Sequence, residues 1–489
     1  MVTVDRVDSP ATLPQTPASR RLEKAPFMLL VVVALMWLSS AAESQAVLPL
    51  IGELTRQYHM NPTQAAWSLS VTGIATAATV LGLSRLADLY GMRRLLLVSL
   101  GLVVAGNVIC FAAPGPALFI VGRAVCGVTA ATPIFYALFR LRAETTGKVD
   151  ISSGTLNSVA GIGTGVSFLI GGLVLNSGGT PRGSIGALIV VSLLVFVLAW
   201  LYVPDSDVRA QGKVDYLGSV LLGGALVCLM VGVGQGNTWG WSSPSILGTL
   251  AGAVVLFAAW AVWELRSLNP MIDLRVVVKS ALWPAFLVGG ICAGLGSTNS
   301  LAVSHLVQTP KEAGYGFGAS VLTTGLFLVP VGVLITVGAL VAPRVIKVLG
   351  MRRTAMTGAL IVAADFLWFS FCHDRAWEIV VELAVFGAGY SLAKTTSMAS
   401  FLRATRHGEG ASVAGADNLV SLAMLGIGPT VATAILQSST TAHGLPEAGN
   451  YAVLWRAFAA VAVVTAGLAL LLKESDADQS LAPDAVRIR

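Results

Sequence analysis

Eight ionisable side chains lie inside or at the edge of long apolar runs: Glu43, Arg123, His305, Asp365, Glu382, Lys394, Asp417 and Arg456. Charge is costly in hydrocarbon, so an ionisable group placed there is a candidate for binding or moving ions. A carboxylate near a cation in a poorly hydrated place is poised between two protonation states, because desolvation and the neighbouring charge act in opposite directions. Such a pair can take up a proton and compete with a cationic or polar solute, or it can be a static link between two helices. Other chemistries find no residues. There is no phosphate-cradling G-x-x-x-x-G-K-[ST] and no H-E-x-x-H. Cys110, Cys126, Cys228, Cys292 and Cys372 each fall in an apolar run without metal-ligand spacing, and read as buried thiols. No catalytic residue, metal site or cofactor is expected, and the chain does not read as an enzyme.

The apolar runs that hold these groups dominate the 489 residues. Hydrophobic residues make up 55% and charged residues 11%, against about a quarter charged in a soluble domain. That excludes a string of soluble domains and a disordered chain. A spanning helix needs about 20 apolar residues, and fourteen segments qualify: 27–50, 64–86, 94–112, 115–139, 154–176, 184–203, 215–235, 244–264, 281–307, 317–342, 354–372, 376–398, 411–437 and 451–472. The expected fold is an all-α polytopic membrane protein. The run Phe27–Trp37 followed by small residues also looks like a cleavable leader, but it continues apolar through Leu50, which favours a span.

Lys and Arg set the orientation. Of the 31, 24 fall in the two tails and alternate loops, four in the opposite loops and three inside spans. Both termini are therefore expected in the cytoplasm, with the chain multi-pass in the cell (inner or plasma) membrane and its surface against the lipid bilayer. The net charge of +6 is an orientation signal and forms no soluble basic patch, so nucleic acid is not an expected partner. Trp67, Trp377 and Trp455 fall near outer span ends, and Trp200 and Trp283 near inner ones, as an aromatic belt would place them. At 1.5 Å per residue, Glu43 lies about 10 Å and Arg123 about 12 Å from the outer ends of spans 1 and 4. Their depths match, and they are expected to interact.

The tetrad Gly-Met-Arg-Arg occurs at Gly91–Arg94 and again at Gly350–Arg353, 259 residues later, each time in a loop between the second and third span of a six-span group. The reading is an N-terminal tail (1–26), a six-helix bundle (27–203), two inserted helices with flanking loops (204–280), a second six-helix bundle (281–472) and a C-terminal tail (473–489). Parallel repeats of this kind are a transporter architecture, with substrate at the interface of the halves.

The loop Ser84-Arg-Leu-Ala-Asp88-Leu-Tyr-Gly91-Met-Arg93-Arg94 resembles the signature loop of the major facilitator superfamily, with Ser84 in place of its first Gly. Arg123-Ala-Val-Cys-Gly127 resembles the family's span 4 motif. Gly161-Ile-Gly163-Thr-Gly165-Val-Ser167-Phe168-Leu-Ile-Gly171-Gly172 resembles the Gly-rich antiporter motif, with Ser167 and Phe168 replacing its usual Gly-Pro. Val47-Leu48-Pro49 and Trp67 are similar to the fourteen-span drug:proton antiporter branch. There an acid usually precedes the proline by about nine residues; here that position is Ser40 and the acid is Glu43. The resemblance implies that spans 1 and 4 line a central cavity and that Glu43 and Arg123 couple protons to transport.

Asp88 beside Arg93 and Arg94, with Gly91 as the turn, would make a charge latch on the cytoplasmic side; the bland alternative is that the arginines only fix topology. Lys347 replaces the acid in the second half, so no equal latch forms there. Gly161, Gly165, Gly171 and Gly172 suit close helix packing or a sliding helix, and Gly428-Pro429 in span 13 suits a kink. Asp417 and Lys394 either pair near the cytoplasmic mouth or leave Lys394 to snorkel. They and Asp365 are the secondary charge candidates for a substrate cavity, although the span of Asp365 is peripheral in the family resembled. Glu382 and Arg456, near outer ends, read as structural, and His305 as interfacial.

The expected function is secondary active export of a small amphipathic compound, a drug or antibiotic, in exchange for protons by a monomeric carrier. Alternatives are a carrier of another solute, as an uptake symporter or lipid translocator, and a receptor or scaffold without a transport cycle.

Overall fold

The computed structural model describes residues 51–60, 62–129, 180–203, 215–267, 283–404 and 446–472, with isolated positions at 32–43, 158–166 and 417–439. Every long element is a helix: α1 (Ile51–Tyr58), α2 (Pro62–Tyr90), α3 (Met92–Ala112), α4 (Pro116–Gly127), α5 (Pro181–Tyr202), α6 (Tyr216–Gly234), α7 (Pro244–Arg266), α8 (Trp283–Gln308), α9 (Val321–Leu349), α10 (Met351–Phe369), α11 (Ala376–Ala404) and α12 (Ala448–Ala469). Eight of the described helices are long and apolar enough to cross a membrane. Exposed Leu247, Val254 and Val255 on α7, or Val463 and Val464 on α12, show apolar side chains on outward faces, as a bilayer solvent requires and water would not.

Helix starts follow local chemistry. Thr180, Asp215, Ser243 and Ser320 cap α5, α6, α7 and α9 by accepting a backbone N–H from three residues on. Asp215 also accepts from Trp263 Nε1 at 2.9 Å, which ties α6 to α7. This pair docks on α2, where Val80, Leu222 and Leu226 form a buried cluster. Elsewhere backbones meet at small residues. A Cβ on Gly106 of α3 would stand 2.7 Å from Gly122 O of α4, and one on Gly358 of α10 would stand 2.6 Å from Gly389 O of α11.

The two tetrads have one geometry. α2 and α9 each run 29 residues, and both ends are offset by 259 positions. Gly91 (φ 109°) and Gly350 (φ 80°) are single-residue joints into the next helix, in a backbone region that favours glycine. The sequence places loops from 87 to 93 and from 343 to 353; instead the helices run on to Tyr90 and Leu349, because the glycine stops the helix and the edge of the apolar run does not. α9 does so with Pro330 and Pro343 inside it. Met92 and Met351 are buried. Arg93 Nη2 donates to Trp200 O at 2.6 Å, and Arg352 Nε to Leu472 O at 2.7 Å. Trp200 lies in the last turn of α5, where carbonyls lack intrahelical partners and the helix dipole is negative, and Leu472 just beyond the end of α12.

Candidate functional site

Glu43, at a described helical position of the first apolar run, is buried among α2, α3 and α4. The close α3–α4 crossing at Gly106 and Gly122 sets the next residue of each helix, Asn107 and Arg123, toward it. Asn107 Nδ2 donates to Glu43 Oε1 at 2.5 Å. Arg123 Nη1 lies 3.6 Å from Glu43 Oε2, and Nη2 donates to the Glu43 backbone oxygen at 2.7 Å. Nε reaches Ser68 O at 3.4 Å. Thr72 Oγ1 donates to Arg123 O at 3.0 Å and pins α2 to α4. Glu43 is 5% and Arg123 2% exposed, so the pair is screened by protein and not by water.

The carboxylate is unevenly satisfied. Oε1 has its amide donor, whereas Oε2 accepts no hydrogen bond from the described residues and is held by charge across a distance too long for one. Oε2 is thus a site where a proton can bind once the guanidinium moves off. The matched depths brought Glu43 and Arg123 together on the page of the sequence; Asn107 was missed, because a lone neutral amide in an apolar run carries no charge signal. Ser40, the position expected for the acid by resemblance, is exposed.

A second buried pair lies between α11 and the helical position of Asp417. Lys394 Nζ of α11 sits 3.5 Å from Asp417 Oδ2 and 3.2 Å from both Ser421 Oγ and Gly289 O. Lys394 is 7% exposed; it is held inward and does not snorkel. Asp365 is buried as well. Glu382, expected near water, is 0% exposed, and Asn299 Nδ2 donates to its Oε1 at 2.6 Å. The correction has a physical cause: Phe369, Tyr451 and Trp455, with Phe369 and Trp455 meeting edge-on at 4.4 Å, share one buried core with Ile379 and Leu383, which flank Glu382 on α11. Trp455, expected in the interfacial belt, is itself fully buried there, while Trp200, Trp283 and Trp377 are exposed. Arg456 and His305 are exposed.

Of the expected latch, Arg94 is exposed and Arg93 is engaged by Trp200, while the side chain of Asp88 is outside the described residues. Gly161 packs on α9: a Cβ there would stand 2.8 Å from Gly332 O, and Ser158 and Thr336 exchange hydrogen bonds of 3.1 Å beside it. This is close packing against α9. Gly165, Gly171 and Gly172 lie outside the described residues. Gly428 and Pro429 are helical, and Gly428 packs against Gly294 and Thr298 of α8.

Long helices with apolar outward faces around buried ion pairs define an all-helical polytopic membrane protein. The chain belongs to the Major Facilitator Superfamily, whose model matches residues 29–429. It is a family of membrane transporters, not of enzymes. Over 367 residues the chain is 28% identical to the Tetracenomycin C resistance and export protein of Streptomyces glaucescens, covering 74% of this chain and 66% of that protein. It therefore spans just under two thirds of that relative's length. It is 26% identical over 392 residues to the multidrug resistance protein Stp of Mycobacterium tuberculosis, covering 79% and 70%. It is 24% identical over 378 residues to the quinolone resistance protein NorB of Staphylococcus aureus, covering 76% and 79%. Among solved structures, the human organic anion transporter MFSD10 shares the fold with a TM-score of 0.66 at 14% identity, covering 93% of this chain and 100% of that one. An auto-inhibited POT family peptide transporter does so at 0.59 and 16%, covering 96% and 98%.

Proposed function

We propose that this transporter exports a small amphipathic compound in exchange for protons, with Glu43 as the carboxylate that either binds the proton or faces Arg123. The observation that carries the reading is the half-satisfied Glu43: one oxygen fixed by Asn107, the other left to charge alone. Protonating Oε2 forms an O–H bond, removes the negative charge and releases Arg123, whose remaining ties are to backbone oxygens of Glu43 and Ser68. The α2–α4 and α3–α4 contacts can then rearrange, and cavity opening follows protonation. A cationic or polar solute competes for the same carboxylate, so solute exit and proton entry exclude each other. The names of the distant relatives support a drug or antibiotic as cargo.

The same reading takes the chain as fourteen spans in two six-helix bundles with α6 and α7 inserted between them. Docking of that pair on α2 through Leu222 and Val80 supports it, as does the 259-residue offset between equivalent helices. Lys and Arg asymmetry supports cytoplasmic termini. The carrier is taken as a monomer. The test is direction of flux. In proteoliposomes with an imposed pH gradient, a transported amphiphile should move against the proton movement. Movement with the protons would make the chain a symporter and overturn the antiport reading.

A further inference from the structure

The second half holds a buried polar cluster outside the Glu43–Arg123 site. Glu382 lies 259 residues after Arg123, the offset that relates α2 to α9 and one tetrad to the other. It therefore takes the place of Arg123 in the repeat, but its surroundings are inverted. The first site joins an acid, an amide and a guanidinium. The second joins Glu382 of α11 to Asn299 of α8, and Asp365 of α10 is brought near by the α10–α11 packing, where the rings of Phe366, its neighbour, and Phe386, one turn from Glu382, stand 5.4 Å apart. All three are at least 96% buried. Asp365 Oδ1 and Oδ2, Glu382 Oε2 and Asn299 Oδ1 accept no hydrogen bond from the described residues.

Among the described residues no cation turns toward them. On α8, His305 is exposed. On α9, Arg344 and Lys347 sit in the final turns before Gly350. On α10, Arg352 is bound to Leu472 O and Arg353 is exposed. On α11, Glu378 caps Arg375 N, and Lys394 is held by Asp417. On α12, Arg456 lies over the ring of Phe371 at 4.8 Å, and Tyr451 stacks on Trp455. A buried carboxyl left without a cation favours its neutral, protonated form. An apolar cavity of about 10 Å³ lies along the same three helices. Its lining includes Leu295, Val362 and Phe386, each one helical turn from Asn299, Asp365 and Glu382 on the same helix, together with Cys292 and Tyr390.

We propose that Asp365 and Glu382, oriented by Asn299, form a second proton-binding site in the C-terminal half, the repeat counterpart of the Glu43–Arg123 pair. Binding makes one O–H bond on a carboxyl oxygen, with the proton drawn from water, and cancels one negative charge. Asn299 Oδ1 and the partner carboxyl are the acceptors for that O–H. The site stands whether or not the Glu43 reading holds.

The test is infrared spectroscopy of the full chain in lipid nanodiscs, made in a Glu43→Gln background so that the first site is silent. A protonated-carboxyl C=O band is expected at neutral pH, shifting in heavy water and under carbon-13 labelling of Asp or Glu. It should fall by at least half in Asp365→Asn and in Glu382→Gln, and persist in Asp417→Asn. The labelling shift needs no variant, so a misfolded substitution does not blunt the test. A neutral-pH spectrum without such a band, or a band unchanged in both variants, overturns the proposal. Loss of the band when sodium replaces choline at fixed pH would also overturn it, assigning the oxygens to a metal cation. Proton occupancy is read here without transport, so failure of the antiport reading leaves this result distinct.

Discussion

Arg123→Met removes the cation from a buried carboxylate and leaves Glu43 with the Asn107 amide as its hydrogen-bond donor at Oε1. Breaking a buried pair from one side costs about 3–5 kcal/mol, since the remaining charge stays uncompensated. Glu43→Gln should cost less, about 1–3 kcal/mol, because Arg123 keeps its backbone acceptors at Glu43 O and Ser68 O. The double variant leaves no orphaned carboxylate. Its cost should therefore fall short of the sum of the singles by at least about 1.5 kcal/mol, within the range of coupled neighbours. The assay is equilibrium unfolding in mixed micelles on all four proteins, with helicity as the probe. Additivity within about 0.5 kcal/mol, or an Arg123→Met protein as stable as its parent, would show that the two side chains do not act on each other and would refute the reasoning.

Three further outcomes follow from the packing. Arg93→Ala and Arg352→Ala should each destabilise by about 1–2 kcal/mol through loss of the bond to a helix-end carbonyl, and the double variant should be additive, as unfolding of the three proteins would show. Gly358→Val should lower the yield of folded protein and destabilise by more than about 2 kcal/mol, because a side chain there meets Gly389 O and Ala393 N within 2.7 Å; a normal yield and unfolding curve would count against the close α10–α11 crossing. Tyr315, in the segment between α8 and α9, donates to Pro446 O at 2.5 Å. Burial pushes its hydroxyl above the ordinary value, with a hydrogen bond to Thr309 opposing. A raised folded value means that this contribution is complete below the unfolded value of about 10 and is lost as pH rises through the folded one. The stability gap between the parent and Tyr315→Phe should thus be flat across neutral pH and shrink only in strong alkali. A gap that closes below neutrality would contradict it.

Much of this was legible in the residues, for reasons that also mark the limits. A charge in an apolar run is conspicuous, and helical rise converts its position to depth, which is why Glu43 and Arg123 could be paired before any coordinates. The repeated tetrad located the two joints, since glycine between helices and arginine beside them each have a local cause. Depth along a helix is not burial, however. Glu382 and Trp455 stand close to span ends and read as near water, but Phe369, Tyr451 and Trp455 join Ile379 and Leu383 in one buried core there. Nothing in the order of residues announces that cluster, which depends on α10 and α12 packing beside α11. Asn107 and Asn299 were overlooked for another reason. Neutral amides cost less than ions in a membrane and stand out only when the carboxylate they serve is seen beside them.

Coupling through Glu43 is tested most directly by compound-driven proton movement in proteoliposomes, followed with a lumenal pH dye across cationic, neutral and anionic amphiphiles. The parent should dissipate an imposed pH gradient when a substrate is added, and Glu43→Gln should not, while Asp417→Asn, if it only loosens the Lys394 tie, should retain the response. Undiminished proton movement in Glu43→Gln would contradict the assignment of Glu43 as the coupling carboxylate.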